Sequence, residues 1–316
     1  MSCGLLLERQ KPEEGKSRGS RAFPMSSDTF FTHKGISFPT VIYSAESLSY
    51  VENEFRLLDD DVLNIAYPQS GSNWMMEILG WIRHEWDPSW VRSEKIGEWS
   101  PWIETFEGLK IALKYPPPRL LAAHLPFSLF PKSFLHSKAK VIYTLRNPKD
   151  VLILCYHYSK SCKGWKDPGT LEEYLEEFLI GNVSHGSWFE HVKGWLQLKN
   201  RDNVFFITFE DLEQNLRSSI ERICHFLGKE LKTHQIDSVM ENTSFQTMKN
   251  GRMAYLPQQK ESVFPHKKGM LAKSDDNRPK VTSGDWKNYL TVAQSERFDR
   301  FYHANMQGLD LTFPWD

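Results

Sequence analysis

Four short apolar runs, each stopping at a polar or chain-breaking residue, most constrain what this chain folds into. Residues 62–67, Val-Leu-Asn-Ile-Ala-Tyr, read as a buried strand that stops at Pro68. Leu120 to Ala123 stops at His124, Lys140 to Leu145 stops at Arg146, and Val204 to Phe209 is followed by Glu210. Runs this short and continuously apolar are typical of strands buried on both faces of a parallel sheet. Helical patterns lie between them. From Trp74 to Arg83, the residues Met75, Ile78, Leu79 and Ile82 share one face. Thr170 and Glu173 form a capping box ahead of Leu171, Tyr174, Leu175 and Phe178. Gly228 suits the left-handed position that ends a helix. The expected fold is α/β, a single domain with a central parallel sheet flanked by helices. Ligands of such sheets bind beyond the carboxyl ends of the strands. Pro68, His124, Arg146 and Glu210 are therefore expected around one crevice.

A chain of 316 residues, 40% of them hydrophobic, can bury a sizeable core. The net charge of −1 gives no global attraction to nucleic acid or to an anionic membrane, so an anionic ligand must be held by local charge. No apolar run reaches the length of a membrane span. The four cysteines, Cys3, Cys155, Cys162 and Cys224, lack the spacing of a metal site. They read as free thiols in a reducing compartment, and the chain as cytosolic with no metal. Residues 1–24 carry no apolar period and read as a disordered extension, or as sequence ahead of an alternative start at Met25. Residues 25–316 form the expected domain.

The stretch Tyr67-Pro-Gln-Ser-Gly-Ser-Asn-Trp74 is the most informative. A strand, a turn of small residues and a helix start aim backbone amides at an anion. Gly71 lets the backbone approach closely, and Ser70, Ser72 and Asn73 add donors. The same pattern also fits an ordinary strand-to-helix turn capped by Ser or Asn. A Walker A lysine is absent, which excludes the nucleotide-kinase type of P-loop.

This loop resembles the segment YPKSGTxW that binds the 5′-phosphosulfate in cytosolic sulfotransferases. The similarity extends through Pro118–Pro126, Lys138–Asp150, Gly186–His191 and Gly284–Asn288, and covers the chain from about Phe30 to Asp316. Ser100-Pro-Trp-Ile-Glu104 and the closing Phe-Pro-Trp resemble the hydroxysteroid branch. The resemblance implies transfer of a sulfuryl group from 3′-phosphoadenosine 5′-phosphosulfate to the hydroxyl of a hydrophobic alcohol or steroid. It implies His124 as the catalytic base and Arg146 as a ligand of the 3′-phosphate at the surface of the crevice. Trp74 is implied near the adenine. Thr243, Ser244, Phe245, Gln246, Thr247 and Met248 match a segment lining the nucleotide. The other ten histidines read as surface or packing residues.

Departures cluster on the donor side. Gln69 replaces the family lysine beside the leaving phosphate. Leu154 stands at a phosphate-binding serine, Phe209 at a tyrosine, and Pro279 and Val281 at an arginine and a glycine. They leave a second reading open, a sulfotransferase fold that binds without efficient turnover. On the acceptor side, Trp99, Trp102 and Phe106 are expected to line a hydrophobic slot. Lys287 to Glu296 matches the family motif KxxxTVxxxE, which implies a homodimer with Val292 at its centre. Thr291 and Gln294 also fit a simple helix cap.

Overall fold

The structure is a computed structural model that describes residues 29–83, 99–162, 165, 167–244, 246–247, 282–309 and 312–316. The N-terminal extension, Phe245, Met248, Pro279 and Val281 lie outside the described residues.

An antiparallel hairpin, β1 (Phe30–His33) and β2 (Ile36–Pro39), precedes α1 (Ala45–Asn53). The centre of the fold is a four-stranded parallel sheet. Its strands are β3 (Val62–Ala66), β4 (Leu120–Ala123), β5 (Lys140–Leu145) and β6 (Val204–Thr208), in the order β4-β3-β5-β6. Each expected strand is present. The first ends one residue early, at Ala66, and so does the fourth, because Thr208 caps the next helix: its side chain accepts from Asp211 N, and the Asp211 carboxylate accepts from Thr208 N.

The pleat sends alternate residues to two cores. Leu121, Ala123, Val141 and Tyr143 join one cluster, and Leu120, Ala122, Ile142 and Ile207 join the other. Helix α2 (Ser72–Arg83) covers the second face with Met75, Ile78 and Leu79, and α3 (Phe106–Ala112) follows. The first face is covered by α4 (Pro148–Ser161), α5 (Leu171–Ile180) and α6 (Trp188–Leu196). Beyond β6 the helical stretch expected to end at Gly228 is two helices, α7 (Phe209–Gln214) and α8 (Leu216–Leu227), separated by Asn215. Gly228 does end the second at φ +73°. Helices α9 (Thr233–Thr243) and α10 (Val292–Met306) complete the domain.

Register sets the site. Ile65 pairs with Ala123, Ala66 with Thr144, and Leu145 with Thr208. The four strands therefore finish level, and Pro68, His124, Arg146 and Glu210 emerge at one edge.

Candidate active site

The turn from Tyr67 to Trp74 is held at both ends. Asn64 on β3 donates from Nδ2 to Ser72 O at 2.8 Å, which ties the strand to the first turn of α2. Tyr67 donates its hydroxyl to Gly186 O at 2.8 Å. Between these anchors Gln69 has φ +67° and Gly71 φ +101°. A Cβ on Gly71 would stand 2.8 Å from Phe209 Cδ2, so only glycine fits. Ser70 and Ser72 are buried, and among the described residues neither hydroxyl has a hydrogen-bond partner. Unpartnered buried hydroxyls beside a helix start are what an anion would satisfy. Asn73 is half-buried in the first turn of α2.

Trp74 is buried, and its indole N–H donates to Thr243 O at 2.7 Å. The ring thus fastens the start of α2 to the end of α9. Ser244 follows directly, its Oγ bonded to Thr247 Oγ1 at 2.8 Å, and Gln246 and Thr247 are exposed.

Arg146 is 1% exposed, not a surface residue of the crevice. Its Nη1 donates to Gln69 O at 3.3 Å and its Nη2 to Thr282 O at 3.4 Å. The guanidinium carbon lies 3.9 Å from the centroid of the Phe209 ring, and Asp150 and Glu210 supply nearby negative charge. Burial lowers the Arg146 pKa, opposed by those carboxylates. Burial likewise pushes Glu210 up to about 7. Asp150 accepts from Gly284 N and Trp286 N, which docks the segment after residue 282 against Arg146.

His124 stands half-buried at the end of β4. Its Nδ1 lies 2.6 Å from Ala66 O. A carbonyl can only accept, so Nδ1 carries the proton and Nε2 holds the lone pair. Burial pushes the imidazole down to about 4, which keeps it neutral at physiological pH. The Trp102 ring lies 4.3 Å from the His124 ring, centroid to centroid. Two further buried histidines surround it. His191 donates from Nε2 to His124 O at 3.2 Å and accepts from the Tyr143 hydroxyl at 2.8 Å. His185, with φ +69°, is bonded to Tyr43 and Ser184, and its ring centroid is 5.8 Å from that of His124. Glu104, fully buried, accepts from His124 N at 2.7 Å.

An imidazole with a free lone pair, beside an aromatic wall and near a loop with unpartnered buried hydroxyls, suits removal of a proton from a hydroxyl that attacks an anionic donor. Comparison with known proteins agrees. The family model described as Sulfotransferase domain matches residues 59–310. The chain belongs to the sulfotransferase family.

Among its relatives, the chain is 46% identical over 287 residues to sulfotransferase 2B1 of Mus musculus, covering 91% of this chain and 83% of that one. It is 42% identical over 291 residues to the 3-beta-hydroxysteroid sulfotransferase of Cavia porcellus, covering 92% and 99% respectively. The solved structure of mouse sulfotransferase SULT7A1 complexed with PAP aligns at a TM-score of 0.73 and 28% identity, over 90% of this chain and 96% of that one.

Within this sulfotransferase some expectations change. Trp99 is core: its ring packs on Gly80, where a Cβ would be 2.7 Å away, so it does not line a slot. Trp102 does lie beside His124, and Phe106 is half-buried at the start of α3. Phe209, read as a lost hydroxyl, is the ring on which Gly71, Trp74 and Arg146 converge. Leu154 is buried on α4 and has no polar atom to offer a phosphate. His185, His191 and Glu104 carry polar roles that sequence reasoning missed. Two of them lie in blocks already singled out, Gly186–His191 and Ser100–Glu104, which was the available signal.

Proposed function

We propose that this sulfotransferase moves a sulfuryl group from 3′-phosphoadenosine 5′-phosphosulfate to the hydroxyl of a hydrophobic alcohol or steroid. The observation that carries this reading is the position of His124 at the end of β4, its Nδ1 spent on Ala66 O, which leaves the lone pair on Nε2. When bound, the donor supplies the sulfuryl group and a leaving phosphate. The Ser70 and Ser72 hydroxyls and the amides around Gly71 hold phosphate oxygens, and Arg146 presents a planar fork of donors to a second phosphate. His124 takes the acceptor's hydroxyl proton at Nε2. Trp102 presents an apolar wall to the acceptor. Relatives named for hydroxysteroids, and the neighbour complexed with PAP, support the acceptor class and the donor.

Two finer readings accompany it. The chain acts as a homodimer through the segment from Lys287 to Glu296, where Val292 is 75% exposed at the first turn of α10. It works in the cytosol, a compartment suited to the buried free thiols of Cys155, Cys162 and Cys224.

Gln69 and Leu154 favour one alternative, a binding protein with little turnover. Calorimetric titration with adenosine 3′,5′-bisphosphate, followed by a radiolabelled-donor assay on a hydrophobic alcohol, separates the two. Binding with turnover supports the enzyme. Binding without turnover supports the alternative, and no binding removes both donor assignments.

A further inference from the structure

The segment before α3 extends the sheet by a single rung. Ala122 N donates to Pro101 O and Ile103 N donates to Ala122 O, both at 3.0 Å, with Trp102 bridged to Ala122. The next rung of such a parallel ladder would send His124 N to Ile103 O and Thr105 N to His124 O. Neither bond forms. Thr105 N turns back to Trp102 O at 3.2 Å to start α3. His124 N is taken instead by Glu104 Oε1 at 2.7 Å, and His124 O by His191 Nε2 at 3.2 Å. Side chains thus hold both main-chain groups of His124 just where the ladder stops.

We propose that Glu104 is a positioning residue for sulfuryl transfer, its carboxyl replacing the missing rung and fixing the main chain of His124 so that the imidazole keeps its bond to Ala66. The proposal rests on the reading of His124 as the base. Glu104 is fully buried, and its Oε2 has no hydrogen-bond partner among the described residues. A buried carboxyl with one bare oxygen is a costly group merely to terminate a strand. Burial pushes it up to about 8, so at neutral pH it is the un-ionised acid, and Glu104→Gln is close to isosteric with it. The same short segment carries Trp102, whose ring lies 4.3 Å from the imidazole, so Glu104 ties the aromatic wall to the base.

The test compares Glu104→Leu, Glu104→Gln and His124→Asn in the full chain, with a hydrophobic alcohol as acceptor. Glu104→Leu keeps the volume and loses the acceptor for His124 N. Its kcat is expected to fall about 10²-fold, the scale of a misplacement near 1 Å, with KM and adenosine 3′,5′-bisphosphate affinity nearly unchanged. Glu104→Gln keeps a carbonyl oxygen and should recover most of that turnover. Nitrogen-15 spectra of the labelled histidines supply a second readout. The wild type and Glu104→Gln should show His124 with its proton on Nδ1, and Glu104→Leu a mixture of tautomers. Wild-type speed in Glu104→Leu, or equal losses in Glu104→Leu and Glu104→Gln with an unchanged tautomer, would overturn the proposal. Should Glu104→Leu not fold, Glu104→Asp replaces it, since it retracts the oxygen by one methylene; turnover in the aspartate variant at or above that of the glutamine variant would sink the idea. Full turnover in His124→Asn would instead remove the base assignment, an outcome distinct from any failure of Glu104.

Discussion

The Arg146 guanidinium lies 3.9 Å from the centroid of the Phe209 ring, and that ring also closes over Gly71. The arginine proposed to bind phosphate is therefore also part of the core packing. Arg146→Ala is expected to weaken adenosine 3′,5′-bisphosphate binding and also to destabilise the fold by about 2–3 kcal/mol, because Glu210 and Asp150 lose their compensating charge. Calorimetry and thermal melting on one preparation check both effects. A variant that loses affinity at an unchanged melting temperature would show that the burial matters little.

Gly71→Ala tests the cradle. The new methyl would meet Phe209 Cδ2 at 2.8 Å, in a backbone at φ +101°. Strain of about 1–3 kcal/mol is expected, together with loss of nucleotide binding as the loop shifts. Unchanged binding in this variant would mean that the loop amides are not ligands.

Gln69 sits at φ +67° with its carbonyl bonded to Arg146. The backbone contact does not depend on the side chain, so Gln69→Lys should fold unchanged. An ammonium stabilises a leaving phosphate better than an amide does, and kcat is expected to rise by up to about 10²-fold. Steady-state turnover at saturating donor measures this. A lysine variant no faster than the parent places the limiting defect elsewhere, for instance at Leu154.

Stability should fall on the alkaline side of neutrality. Glu104 is raised from an ordinary 4.5 to about 8, so between these values the folded chain holds a proton that the unfolded chain releases. That contribution is complete below the lower value and is lost as pH rises through the upper one. His124 acts oppositely: lowered from 6.5 to about 4, its contribution is complete above 6.5 and is lost as pH falls through about 4. Above neutrality the histidine term is constant and Glu210, at about 7, is largely spent, which leaves Glu104. Glu104→Gln should flatten the decline in melting temperature between about pH 7 and 8. An equal slope in both proteins would place the titrating group elsewhere.

Val292→Glu should convert a dimer to monomers, because a two-fold axis would bring each new carboxylate against its copy. Light scattering on both proteins decides it, and a monomeric parent ends the idea.

Periodicity and local chemistry already contained the elements. The four apolar runs are the four strands, because burial on both faces demands continuous apolar sequence. Thr170 with Glu173 and Thr291 with Gln294 cap helices as read, since a capping box is satisfied within four residues. The turn conformation of Gly71, φ +101°, was legible from its place between strand and helix, but its contact with Phe209 was not. The shared edge of Pro68, His124, Arg146 and Glu210 followed from the strand ends alone. What sequence could not supply were bonds between residues far apart in the chain. Glu104 to His124, His191 to His124 and Arg146 over Phe209 span 20, 67 and 63 positions, and no local pattern encodes such pairings. Burial was likewise a tertiary decision. Trp99 and Trp102 look alike in the chain, yet one meets the bare backbone of Gly80 and the other meets His124, because the intervening turn registers residue 102 against Ala122.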